Sequence, residues 1–134
     1  MNEALGPGLV GEARVRVEAE NLASAYGSGS IEVFGTPGLV ALMERAACAA
    51  VASHLADGQT TVGTRIDVRH LAATPAGLEV RATAELTHVD GRQLIFNVEA
   101  FDDAEKIGEG THERMIVDAA RLLGRARGKY SVGP

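Results

Sequence analysis

A long apolar segment spans residues 37–56, and this segment limits most strongly how the chain can fold. It reads PGLVALMERAACAAVASHLA, and Glu44 is its only acid. Thr36 precedes Pro37, which fits a helix N-cap followed by proline at the first helical position, and the helix is expected to end near residues 57–58. A helix that is apolar nearly all round must be covered on several sides by the rest of the fold.

Glu44 is an unusual residue for such a helix. At about 100° per residue it lies beside Val40 and Ala47, on the apolar side, and it has no oppositely charged partner one turn away. An unpaired carboxylate is costly to bury, so it is normally paired elsewhere, protonated or used in chemistry. We predict that His70 is its partner, and a structural ion pair with Arg114 is the alternative.

Five segments alternate between apolar and polar residues in the way that is typical of half-buried β-strands. They cover about residues 12–19, 61–71, 78–88, 94–100 and 107–118. In the second segment, one face is predicted to carry Val62, Thr64, Ile66, Val68 and His70. Turns are expected at 74–77, 90–91 and 102–106, and residues 21–35 form a loop.

The order of elements is one strand, one apolar helix and four antiparallel strands, in a single domain of 134 residues. A curved sheet wrapped around the helix, with a second copy of the chain closing the remaining side, would cover the helix completely. This arrangement is an α+β hot-dog fold, and a homodimer is its usual consequence. Residues 1–10 and 125–134 are expected to be flexible termini.

The composition argues against several classes of function. The net charge is −5 and aromatic residues make up only 4%, which does not favour a nucleic-acid partner. No segment is long and apolar enough to span a membrane, and the N-terminus does not have the pattern of a signal peptide, so we expect a cytoplasmic protein. Cys48 is the only cysteine, and the histidines lack ligand spacing, so no metal site is expected.

Three residues are candidates for catalysis: Thr36, Glu44 and His70. The start of the helix at Thr36 offers free N–H groups that suit an oxyanion formed during acyl transfer. Glu44 lies about 12 Å further along the helix axis, and a strand carrying His70 across the helix could approach either residue. The structural alternatives are a helix cap for Thr36 and a hydrogen-bonded core histidine for His70.

Several short motifs resemble the fluoroacetyl-CoA thioesterase-like family of hot-dog proteins, both in identity and in mutual spacing. They are Phe34-Gly35-Thr36, Leu42-Met43-Glu44, Gly63-Thr64, Val68-Arg69-His70, Ala72-Ala73-Thr74-Pro75-Ala76-Gly77 and Gly110-Thr111-His112-Glu113-Arg114. The resemblance implies that Thr36, Glu44 and His70 form the catalytic set. It also implies that Gly63 and Arg114 contact the substrate.

The implied reaction is hydrolysis of a small or medium acyl-CoA thioester, with coenzyme A entering only as part of the substrate and no separate cofactor. Glu44 would attack the acyl carbonyl or activate water, His70 would act as base and acid, and Thr36 would polarise the carbonyl. The fluoroacetyl-specific enzyme of that family has phenylalanines in the loop before the threonine, where this chain has residues 27–30, GSGS. The alternatives are an enoyl-CoA hydratase-like enzyme and a non-catalytic protein that binds acyl-CoA or another small ligand.

Overall fold

The computed structural model describes residues 4–131. Its main elements, in chain order, are β1 (Val10–Arg16), α1 (Thr36–Val51), β2 (Gln59–His70), β3 (Glu79–Asp90), β4 (Gln93–Phe101), β5 (Lys106–Asp118) and α2 (Ala119–Gly128). Short 3-10 turns occupy Ala19–Asn21, Ala23–Tyr26, Ala52–His54 and Lys129–Ser131. The five strands and the central helix confirm the predicted hot-dog architecture.

The strands form one antiparallel sheet in the order β1-β3-β4-β5-β2, which leaves β1 and β2 at its two edges. The sheet wraps around α1, and alternate residues of the strands face the helix. The residues at the centre of this core are fully buried and include Leu39, Met43, Ala46, Val80, Ala82, Leu86, Leu94 and Phe96. Burial of this apolar surface is the main force that holds the helix in the concave side of the sheet.

The start of α1 differs from the prediction by one residue. Gly35 is the N-cap, with extended backbone angles, and Thr36 is already the first helical residue. The Thr36 hydroxyl contacts His70 instead, so the predicted role of Thr36 as the cap is wrong. The helix also ends earlier than predicted, at Val51, and continues only as a 3-10 turn.

A β-bulge in β2 corrects the predicted facing of this strand. Gly63 pairs with Arg114 of β5, but the next paired residue is Arg65, so Thr64 is the extra residue. A bulge shifts the side-chain alternation by one position. Thr61 and Gly63 therefore face the helix before the bulge, and the prediction that Val62 and Thr64 share the face of His70 is wrong.

The C-terminal part of the chain contains a helix that the sequence analysis did not predict. Asp118 caps α2 by accepting a hydrogen bond from the Arg121 N–H at 2.8 Å, and the helix is exposed along its length. The predicted flexible termini lie partly outside the described residues. Within residues 4–131, neither helix is long and apolar enough to cross a membrane.

Candidate active site

The first part of the site is a direct contact between α1 and β2. The Thr36 hydroxyl oxygen lies 2.8 Å from His70 Nδ1. Thr36 is the first residue of α1 and His70 is the last residue of β2, where it pairs in register with Gly108. Because the Thr36 hydroxyl does not cap the helix, it is available to the imidazole. The structure thus brings together two of the three predicted catalytic residues.

The environment of His70 favours a neutral imidazole. Partial burial lowers the pKa of His70 below its usual value of 6.5. The Nε2 atom is buried and has no hydrogen-bond partner among residues 4–131, although Nδ1 is held by Thr36. A neutral, oriented imidazole with one unpartnered nitrogen is suited to accept or donate a proton.

An open cavity of about 390 Å³ lies beside this pair. Its walls are formed by the loop before α1 and by the residues after β2, and most of the side chains are small or apolar: Ala23, Ser28, Val33, Phe34, Leu71, Ala72 and Ala73. The start of α1 borders the same space, and the first N–H groups of a helix have no partner within the helix. The cavity therefore combines an apolar wall with a proton-transfer group, at the start of a helix.

The loop before α1 is held in place by hydrogen bonds at the base of the loop. The Gly35 N–H donates to the Asn21 carbonyl at 2.9 Å, and the Ala23 N–H donates to the Val33 carbonyl at 2.8 Å. The Phe34 N–H donates to the carbonyl of Thr74 at 2.8 Å. These bonds fix the two residues that immediately precede Thr36, and so they fix the position of its hydroxyl.

The second part of the site is centred on Glu44. Its carboxylate lies 3.3 Å from Nη1 of Arg114, which is buried, whereas the Glu44 side chain is 40% exposed. The predicted pairing of Glu44 with His70 is therefore wrong for the single chain, and the alternative partner, Arg114, is the one observed. The helix face that carries Glu44 is only partly covered by the rest of the chain.

Arg114 is held by hydrogen bonds on three of its nitrogen atoms. Its Nε donates to the Thr61 hydroxyl at 2.8 Å, and its Nη2 donates to the Thr61 carbonyl at 2.9 Å. Its Nη1 lies 3.1 Å from Nε2 of His112 as well as near Glu44. A guanidinium group with this many partners has a fixed orientation, and it presents Nη1 to the carboxylate.

Gly63 leaves the room that the Glu44 carboxylate occupies. A Cβ atom at this position would lie 2.5 Å from Glu44 Oε2 and 3.3 Å from Arg114 Nη1. Gly63 and Arg114, both predicted as substrate contacts, thus lie beside Glu44. His112 also belongs to this cluster, and no role was predicted for it from the sequence. Its position two residues before Arg114 on β5, and so on the same face, was the signal that could have identified it.

The two parts of the site are separate within one chain. Thr36 and Glu44 are eight residues apart on α1, which places them about 12 Å apart along the helix axis. Glu44 borders a different cavity, of about 210 Å³, with Gly63, Ile66 and His112 in its wall. A single chain therefore does not bring Glu44 to His70. Among residues 4–131, no cluster of three or more potential metal ligands is present.

A curved five-stranded antiparallel sheet around one long helix, with a threonine and histidine paired at the start of that helix, defines a hot-dog protein of the thioesterase class. Residues 17–120 match the family model described as FlK: Fluoroacetyl-CoA-specific thioesterase. The chain belongs to this family of thioester hydrolases, which confirms the resemblance seen in the sequence motifs.

Individual relatives agree with this assignment. The fluoroacetyl-CoA thioesterase of Streptantibioticus cattleyicolor is 45% identical over 102 residues, which cover 76% of this chain and 73% of that protein. A solved structure of the fluoroacetyl-CoA thioesterase FlK has a TM-score of 0.89 and 36% identity, and it covers 95% of this chain and 98% of its own. A thioesterase superfamily member from Thermus thermophilus has a TM-score of 0.86 and 25% identity, covering 98% and 99% of the two chains.

Proposed function

We propose that this protein hydrolyses a small or medium acyl-CoA thioester to the free acid and coenzyme A. The observation that carries the proposal is the Thr36–His70 pair at the start of α1, in which partial burial lowers the pKa of the histidine and its Nε2 is unpartnered among residues 4–131. The proposal is supported by membership of the fluoroacetyl-CoA-specific thioesterase family. Thioester substrates of this kind are found in the cytoplasm, which we take as the location of the protein.

In the proposed reaction, Glu44 attacks the acyl carbonyl or removes a proton from the attacking water. The Thr36 hydroxyl and the backbone N–H groups of Thr36 and Gly38, which flank Pro37 in the first turn of α1, stabilise the negative charge that develops on the carbonyl oxygen. His70 takes up one proton and becomes an imidazolium; the proton comes from the attacking water by way of Glu44 or, where Glu44 itself attacks, from solvent. The bond between carbon and sulfur then breaks, and the imidazolium gives this proton to the departing thiolate, which leaves His70 neutral again. Water supplies the second oxygen of the acid, in the second route by hydrolysing the anhydride formed between the acyl group and Glu44.

This mechanism needs Glu44 and His70 to act on one substrate, so the proposal includes a homodimer. In it, Glu44 of one copy faces the Thr36–His70 pair of the other copy. Two features support this arrangement: the Glu44 side chain is 40% exposed in the single chain, and β2 is an edge strand whose outer N–H and C=O groups lack a neighbouring strand. Such an edge readily pairs with a second chain.

The proposal can be tested with free-thiol release from a panel of acyl-CoA thioesters, including acetyl, fluoroacetyl, branched and aromatic acyl groups. The panel tests how wide a range of acyl groups is accepted. A wide range is expected because the loop at residues 27–30 has small side chains near the cavity. We expect Glu44→Gln and His70→Asn each to lose at least about a hundredfold in kcat while remaining folded. Wild-type thiol release by both variants would overturn the assignment of these residues.

Mixing the two inactive variants tests the shared site. If each site combines Glu44 of one copy with His70 of the other, the mixed dimer contains one intact site, and about a quarter of the wild-type activity returns after subunit exchange. If each site lies within one chain, every site in the mixture keeps a defect and no activity returns. Analytical ultracentrifugation of the wild type measures the dimer directly.

The same assays distinguish thioester hydrolysis from two other functions. The Glu44–Arg114 ion pair is compatible with a non-catalytic acyl-CoA-binding protein, which would bind the thioester tightly and release no thiol. An enoyl-CoA hydratase would remove the enoyl absorbance without releasing thiol.

A further inference from the structure

His112 is the most deeply buried histidine in the described part of the chain, and both of its ring nitrogens have partners. It is 1% exposed. Its Nδ1 lies 2.7 Å from the Arg65 carbonyl oxygen, which can only accept a hydrogen bond. Nδ1 must therefore carry a proton and donate it.

The other ring nitrogen has the opposite role. His112 Nε2 lies 3.1 Å from Arg114 Nη1, and a guanidinium group can only donate. Nε2 is therefore unprotonated and accepts from Arg114. The two neighbours together select one neutral tautomer of His112. Burial, and next the positive charge of Arg114, lower the pKa of His112, against the opposing effect of the Arg65 carbonyl.

This tautomer affects Glu44 through Arg114. The Nη1 group of Arg114 carries two hydrogens, and its two partners are His112 Nε2 and Glu44 Oε2. The guanidinium is planar, so its plane sets the directions of both Nη1 hydrogens. The acceptor on His112, together with the contacts to Thr61, holds that plane and so aims the other Nη1 hydrogen at Glu44. A neutral acceptor suits this position, since a carboxylate would compete with Glu44 for the guanidinium, and a protonated histidine would repel it.

We propose that His112 is a positioning residue that orients the Glu44 carboxylate through Arg114. The inference rests on the proposed catalytic role of Glu44. His112 acts at one remove from the substrate, and its contribution is the geometry of the carboxylate. An error of about 1 Å in the position of a reacting group can lower a rate by about a hundredfold.

A purely structural role for His112 is the alternative, because its ring also packs against Phe96, with the ring centroids 6.2 Å apart. The two roles are separated by substitutions that keep or remove the polar contacts. His112→Leu fills a similar volume without a donor or an acceptor. His112→Gln supplies an amide N–H and an amide oxygen, does not titrate, and can reach Arg114. His88→Leu is the matched control, since His88 is exposed on β3.

The experiment measures kcat, KM and melting temperature for the wild type and these variants. We expect His112→Leu to lower kcat by about tenfold to a hundredfold with KM changed by less than about threefold, because the defect lies in the orientation of a reacting group. His112→Gln should recover most of kcat, and the His88→Leu control should match the wild type. An unchanged kcat in His112→Leu, or equal losses in the Leu and Gln variants, would overturn the proposal.

Two further measurements keep the test decisive. If His112→Leu does not fold, His112→Asn replaces it, because asparagine can reach the Arg65 carbonyl but is too short to reach Arg114. We then expect a higher kcat for His112→Gln than for His112→Asn. The second measurement is nitrogen NMR of the wild-type protein, which reports the protonation of each imidazole nitrogen. We expect Nε2 of His112 to be unprotonated at neutral pH, and a protonated Nε2 would refute the proposal.

The Glu44→Gln variant separates this inference from the proposed function. If Glu44→Gln retains wild-type kcat, the catalytic role of Glu44 fails, and the positioning role fails with it. If Glu44→Gln is inactive while His112→Leu turns over at the wild-type rate, the proposed function stands and only the role of His112 is lost.

Discussion

The Thr36 hydroxyl and His70 Nδ1, 34 positions apart in the sequence, are joined by a contact of 2.8 Å. The contact links the first residue of α1 to the last residue of β2. It exists because Gly35 takes the N-cap position, where the backbone is extended, and so the threonine side chain is not used by the helix. The hydroxyl can therefore serve the imidazole.

Removing this hydroxyl should affect activity more than stability. We expect Thr36→Val to lower kcat by about tenfold to a hundredfold. Its free energy of unfolding should change by less than about 1 kcal/mol, because no helix-capping bond is lost. Thr36→Ser, which keeps the hydroxyl, should retain most of the activity. Thiol release and urea unfolding measure the two effects. A stability loss of about 1–2 kcal/mol in the valine variant alone would instead indicate a capping role.

Gly63→Ala should disturb the site without unfolding the protein. The new Cβ would lie 2.5 Å from Glu44 Oε2, so the carboxylate must move away from Arg114, which a partly exposed side chain can do. We expect kcat to fall by about tenfold or more, with little change in melting temperature. Gly124→Ala in α2 is the control, since a Cβ there meets nothing within 4 Å. If both glycine variants keep full activity, the position of Glu44 is not important for turnover.

Acid should destabilise the protein through two histidines, the partly buried His70 and the buried His112. Burial lowers the pKa of both His70 and His112 below the usual 6.5. Below pH 6.5 the unfolded chain therefore binds protons at these residues before the folded protein does, and stability falls as the pH drops through the two folded pKa values. Unfolding free energies measured between about pH 7.5 and pH 5 should decrease, and His112→Gln should give a shallower decrease. A stability that does not change over this range would contradict the neutral state of both residues.

Thr74 should stabilise the turn that supports the loop before α1. It is fully buried, and its hydroxyl donates to Asp102 Oδ2 at 2.8 Å. Thr74→Val keeps the shape but leaves the carboxylate without this donor, so we expect a loss of about 1–2 kcal/mol in the free energy of unfolding. The hydrogen bonds from Ala104, Thr74 and Glu105 together outweigh burial and lower the pKa of Asp102, so that pKa should rise in the variant. Thr74→Ser should behave like the wild type in both measurements.

The main elements of the fold were predictable because their signals are local. Alternation of apolar residues identified the five strands, and the apolar run at 37–56 identified the central helix. The capping residue was displaced by one position, since Thr36 and Gly35 are both acceptable N-caps in sequence and tertiary contacts decide between them. Helix α2 was not predicted because its residues, from Ala119 to Gly128, are exposed and bury no apolar face.

The sequence pointed to the residues of the candidate site but not to how they pair, and their catalytic roles stay a prediction. His70 lies beside Thr36, one of the two residues that it was expected to be able to approach. The partner of Glu44 is Arg114 and not His70. His70 lies at the end of β2 beside Thr36, about 12 Å along the helix axis from Glu44. The bulge at Thr64 turns Gly63 towards Glu44, and it depends on the register between β2 and β5. The uniform alternation of apolar residues from Val62 onward carries no sign of that register. The homodimer remains a prediction.

The hydrogen bonds that close the base of the loop before α1 make the position of the Thr36 hydroxyl independent of the sequence at the loop tip. The segment between Ala23 and Val33 is tied at its neck by the bond between these two residues, and residues 24–30 within it are exposed. Insertions, deletions or substitutions beyond the neck need not displace the threonine hydroxyl. If the cavity takes the acyl group as proposed, changes at the tip alter which acyl groups are accepted while the reacting geometry is inherited unchanged.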